Sequence, residues 1–125
     1  MTLQEALDQV DELKPNMMSR KLKIKYLTEI EQLIHSEILM NHEHREEDSI
    51  MPVYTEQTEP GTLLIVPDPY SMVYIYWLMT KIDIQNQEDA RYNIDRAHFE
   101  NAYDAMSDWW TRNYMPVQKT REFRL

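Results

Sequence analysis

Tyr70, Met72, Val73, Tyr74, Ile75, Tyr76, Trp77, Leu78 and Met79 follow one another with almost no polar interruption. They constrain the fold more than any other stretch. Asp68 and Pro69 just before them have the character of an N-cap and a first helical position, so a helix is predicted from Pro69 to about Gln85. Its first half has no polar face. A helix that is apolar all round is buried all round. In a chain of 125 residues it has to be the central helix, or be partly covered by another subunit.

Three more helices are predicted around it. The first runs over Leu3–Leu13, opened by a Thr2-x-x-Glu5 capping box and stopped by Pro15. Its apolar face is Leu3, Ala6, Leu7, Val10 and Leu13. The second covers about Arg20–Met40 with Ser19 as N-cap. Tyr26, Leu27, Ile30, Leu33, Ile34 and Ile38 make its stripe, while Lys21, Lys25, Glu29, Glu31 and Glu37 fall mostly on the other side. The last covers about Glu88–Tyr114, with Phe99, Ala102, Tyr103, Met106, Trp109 and Trp110 inward and Pro116 beyond its end. Trp77 and Met106 are expected core positions. The fold class is all-α, a four-helix bundle-like domain over residues 1–116. Residues 41–66 form an excursion between helices two and three, either irregular or a short β-hairpin in which 51–54 and 62–66 flank a Pro60-Gly61 turn.

Composition excludes several chemistries. The chain has one glycine, Gly61, and no cysteine. Glycine-rich phosphate loops, thiolate metal sites, disulfides and thiol nucleophiles are therefore out. No basic-then-apolar leader opens the chain. The uncharged run Pro69–Thr80 spans about 18 Å as a helix, short of the ~20 residues that cross a bilayer. A soluble, intracellular protein is expected, with no membrane partner.

The net charge of −9 is unevenly spread. Residues 117–125 carry Lys119, Arg121 and Arg124 against Glu122, a local +2 that leaves −11 on residues 1–116. An acidic body repels phosphate, which argues against sequence-specific nucleic-acid binding. A basic tail on an acidic body suits docking to an acidic partner or a solvated terminus equally well. Lys119, Arg121 and Arg124, with Tyr70 and Tyr74, are the candidate partner-docking residues.

The candidate chemistry is thin. His42 and His44 lie beside Glu43, Glu46 and Glu47, but their i,i+2 spacing puts the rings on different helix faces, and a helical zinc pair sits four apart. An exposed polar segment is the simpler reading. Asp83 sits in an apolar helix and needs a partner; Arg91, Arg96 or a tyrosine hydroxyl are the candidates, in a structural hydrogen bond. Ser19, Ser36, Ser49, Ser71 and Ser107 lack a nucleophile context. The chain is read as a non-enzyme, with no catalytic residue, cofactor or metal.

Several motifs together resemble a small acidic protein of tailed-phage and prophage morphogenesis clusters of Firmicutes. They are Leu3 to Leu7 with Val10-Asp11 and Leu13 to Asn16, Val66-Pro67-Asp68-Pro69-Tyr70, the Tyr76-x-Leu78 and Ile82-Asp83 pair, Ala90-Arg91-Tyr92-Asn93, Phe99-x-x-Ala102-Tyr103, and Tyr114-Met115-Pro116. The similarity spans nearly the whole chain and is weakest over 41–60. Gln87 stands where a helix-ending glycine is usual, which predicts a less sharp break between helices three and four. Such proteins resemble the head–tail connector (adaptor) class. The resemblance implies a virion structural protein that self-associates into a ring beneath the portal, touches portal and other neck or tail proteins, and resides in the virion neck, or in host cytoplasm during assembly. It transfers no catalytic residue. The alternative from another class is a small phage-encoded helical regulatory or chaperone-like binding module.

Overall fold

The computed structural model describes residues 1–117. Four α-helices dominate: α1 (Leu3–Leu13), α2 (Arg20–Glu37), α3 (Met72–Gln85) and α4 (Asp89–Asn113). Short 3-10 turns follow α2 at Leu39–Asn41 and Glu46–Ser49. Among the described residues no helix is long and apolar enough to cross a membrane.

α3 is the central helix, as its composition requires. Val73, Tyr74, Ile75, Leu78 and Ile82 are all fully buried. Contacts along α3 set the directions of its neighbours. Tyr70 meets Trp109, Tyr76 stacks on His98 and Trp77 meets Phe99, so α4 runs antiparallel to it. The Trp77 indole donates to the Tyr26 carbonyl at 2.9 Å and the Tyr74 hydroxyl reaches Glu31, so α2 is antiparallel as well. Gln9 contacts Met72 and Lys14 contacts Asp83, so α1 is parallel.

The helix ends follow local chemistry. Thr2 and Glu5 form the reciprocal capping box, and the Ser19 hydroxyl accepts from the Leu22 N–H. α3 begins at Met72, later than Asp68-Pro69 suggests. Residues 67–70 make a turn, with the Tyr70 N–H on the Pro67 carbonyl at 3.0 Å, and Asp68 accepts from the Ser71 hydroxyl. The break after α3 is sharp despite the missing glycine. Gln87 adopts φ 57, and Gln87 and Glu88 donate back to Ile84 and Asp83 at 3.2 and 2.9 Å. This is the Schellman pattern, which glycine adopts more readily than a residue with a Cβ.

Two further expectations need correction. No β-hairpin exists between α2 and α3, because the described residues hold no β-strand, only isolated bridges at Thr2–Leu63 and His42–Pro116. The two limbs never pair because each bonds elsewhere. Pro52 and Tyr54 give their main chain to the Gln32 and Thr28 side chains of α2. The Pro60 and Thr62 carbonyls accept from the Gln4 and Leu3 N–H groups, otherwise orphan donors at the start of α1. Trp77 is half-buried, at the rim of the core and beneath the Lys81 ammonium at 4.1 Å from its ring centre. Met106 is fully buried. Met106→Ala is expected to cost about 2–5 kcal/mol, measured by urea denaturation; a loss below about 1 kcal/mol would place the side chain outside the core.

Candidate functional site

The buried face of α2 is rotated from the predicted one. Leu33 is exposed, while Lys23, Glu31 and His35 are buried. Glu31 is 0% exposed and is the node of the domain. Its carboxylate accepts from the Tyr74 hydroxyl of α3 at 2.5 Å, from the Tyr54 hydroxyl at 2.7 Å and from the Ile65 N–H at 2.9 Å. Tyr74 in turn accepts from the Val66 N–H at 2.9 Å. One carboxylate thus ties both limbs of the 50–66 loop to α2 and α3. Burial pushes the Glu31 carboxyl up, against the pull of its three donors and His35, and pushes the Tyr74 hydroxyl well above its ordinary value.

A second polar cluster closes the far end of α3. The buried Lys14 ammonium lies 2.6 Å from Asp83, 3.4 Å from Glu88 and 3.7 Å from Asp95. Asp83 is fully buried and its oxygens lack an aligned hydrogen bond, so the contact with Lys14 is ionic in character. Desolvation, then Asp95, raises the Asp83 carboxyl to about 6 although Lys14 pulls the other way. The Lys14 ammonium is itself held above its usual value; burial opposes this and the carboxylates outweigh it. Neither Arg91 nor Arg96 serves Asp83. Arg91 is exposed, and Arg96 pairs with Glu100 at 3.0 Å.

His35, His42 and His44 bond to main-chain carbonyls, while His98 stacks on Tyr76. His42 Nδ1 donates to the Ile38 carbonyl and His44 Nδ1 to the His42 carbonyl, both at 2.7 Å. Among the described residues no group of three potential metal ligands converges.

An aromatic surface feature lies at the end of α4. Trp109, Trp110 and Tyr114 pack edge to face or tilted against one another, with ring centres 5.2–5.9 Å apart, and Tyr70 tilts onto Trp109 at 5.9 Å. With Leu39, Leu64 and Pro67 they wall an open groove of about 840 Å³. Glu43, His44, Arg45 and Asp48 supply its polar rim. Leu63 stands at its edge, 72% exposed, and Tyr114 and Met115 are exposed beside it.

The candidate docking residues separate. Tyr70 is half-buried and supports the groove through Trp109. Tyr74 is corrected as a docking residue: it is 0% exposed and committed to Glu31. Lys119, Arg121 and Arg124, with the rest of the basic tail, lie outside the described residues. Sequence reading missed Glu31, Lys14 and Leu63. For Lys14 the signal was present, because the helix-stopping Pro15 fixes Lys14 at the end of α1.

No family model, no curated protein and no solved structure matches this chain.

Proposed function

We propose that the chain is an assembly subunit of a tailed-phage virion, of the head–tail connector kind its sequence resembles. In this reading it docks on its neighbours through the aromatic groove at the end of α4. The groove is the observation that carries the reading. Tyrosine and tryptophan combine a large apolar body with a polar tip, which suits protein–protein contact, and an apolar residue as exposed as Leu63 beside them enlarges the patch. The rest of the molecule fits a structural task. Glu31 and Lys14 hold the framework rigidly, and a rigid framework lets a surface recognise a partner at low entropic cost. An acidic body suits a channel wall that passes DNA without gripping it. In a ring each subunit contact is heterologous, with the portal setting the subunit number.

Deleting the gene from its phage or prophage is the test. The expected result is DNA-filled heads that fail to join tails or that lose their DNA. Normal, tailed, infectious particles would exclude the connector role and favour the regulatory binding module.

A further inference from the structure

We propose that residues 51–54 form a one-sided edge that receives an extended, basic-flanked segment of another protein by main-chain pairing. The inference concerns a surface other than the aromatic groove and does not rest on the connector reading.

The segment has the period of a strand without belonging to a sheet. Exposure alternates along it: Met51, Val53 and Thr55 are exposed, while Pro52 and Tyr54 are half-buried. Main-chain bonding alternates in the same phase over residues 51–54 and ends at Thr55, whose N–H and carbonyl are both taken by Thr58. The Pro52 carbonyl accepts from the Gln32 amide at 3.1 Å. The Tyr54 N–H and carbonyl both meet the Thr28 hydroxyl, at 3.2 and 3.3 Å. Side chains of α2 thus hold the inner side. Among the described residues, the N–H and carbonyl groups of Met51 and Val53 have no partner. In an extended chain these groups point opposite to those of residues 52 and 54. Pro52 strengthens the case. Its missing N–H falls on the inner side, so proline does not block the outer one, where it would protect an edge.

The side chains beside the free edge are apolar and prone to extended structure: Ile50 is 79% exposed and Val53 64%. The flanks are acidic. Glu46, Glu47 and Asp48 precede the segment, with Arg45 as their one cation, and Glu56 and Glu59 follow it. Lys21 and Lys25 of α2 lie near Glu56, so the acidic signal is stronger at 46–48. This pattern disfavours a second copy as occupant. Antiparallel pairing of Met51 with Val53 of a second copy would set Asp48 of each copy beside Glu56 of the other, and like charges repel. It favours a partner strand that is apolar at its centre and basic at its ends.

The test uses the full chain and a labelled nine-residue peptide of alternating valine and threonine with arginine at both ends. Fluorescence anisotropy is expected to show saturable binding, and hydrogen exchange is expected to slow at the Met51 and Val53 amides. Val53→Pro removes one outer donor at an exposed position and is expected to weaken binding about tenfold or more. A peptide N-methylated on alternate residues tests the same bond with the protein untouched, and is expected to fail on one of its two faces. Glutamate in place of the terminal arginines is expected to abolish binding. No saturable binding by the first peptide would overturn the proposal. So would equal binding by Val53→Pro and both N-methylated peptides, which would assign any affinity to side chains alone.

Discussion

Glu31→Ala is expected to lower the free energy of unfolding by about 3–5 kcal/mol, the range for removing one partner from a buried charged network. The substitution strands the Tyr54 and Tyr74 hydroxyls and the Ile65 N–H, all of which point at the Glu31 carboxylate. A buried donor left unmade costs about 1–3 kcal/mol, and water entering the space recovers part of it. The damage is also directional. The loop limbs at Tyr54 and Ile65 lose their shared anchor, so their amides should exchange faster than those of α3 and α4. Glu31→Gln separates charge from shape. It keeps the volume and one acceptor oxygen, but its amide nitrogen faces a donor, so an intermediate loss is expected. Urea denaturation of the three proteins checks this. A loss below about 1 kcal/mol for the alanine variant would mean that the node does not hold the loop.

Lys14→Met is expected to cost about 3–5 kcal/mol at pH 7, because it leaves buried carboxylates facing each other without their cation. The methionine keeps most of the lysine stem's volume, so packing loss is small. The pH dependence identifies the cause. The Asp83 carboxyl of the intact protein stands at about 6, raised from 3.8. A carboxyl raised on folding contributes stability that is full below its unfolded value and is lost as pH rises through the folded one. In the intact protein that loss falls between about 4 and 6. Without Lys14 nothing pulls the Asp83 carboxyl down, so the window moves towards neutral pH. The deficit of the variant should therefore shrink from pH 7 to pH 5. A deficit of equal size at both values would assign the loss to packing and not to charge.

Much of the fold was legible in the sequence, for identifiable reasons. The capping box at Thr2 and Glu5 and the cap at Ser19 are local hydrogen bonds between near neighbours, so spacing reveals them. The apolar run of α3 required a central position whatever surrounded it. Long-range polar partners were not legible. Glu31 looked like a surface residue because nothing near it in sequence announces Tyr54, Ile65 or Tyr74. Its burial shifted the inward face of α2, so Leu33 came out and His35 went in. The hairpin expectation failed for the same reason. Residues 51–54 and 62–66 have the composition of paired limbs, but α2 side chains and the start of α1 outcompete them for each other's main chain. Of the candidate docking residues, Tyr70 supports the surface at the end of α4, whereas Tyr74 is an interior hydrogen-bond donor. Tyrosine density alone cannot separate these roles.

The proposed function makes the aromatic groove an assembly surface. Under the proposed connector role, sedimentation of the purified chain with portal assemblies encoded beside it tests this most directly, with Leu63→Glu as the comparison. Leu63 is exposed, so the variant should melt like the intact protein while carrying a charge at the groove's edge. The intact chain is expected to co-sediment with portal, and Leu63→Glu is expected not to. An intact chain that stays at the top of the gradient, or a Leu63→Glu variant that co-sediments equally well, would contradict it.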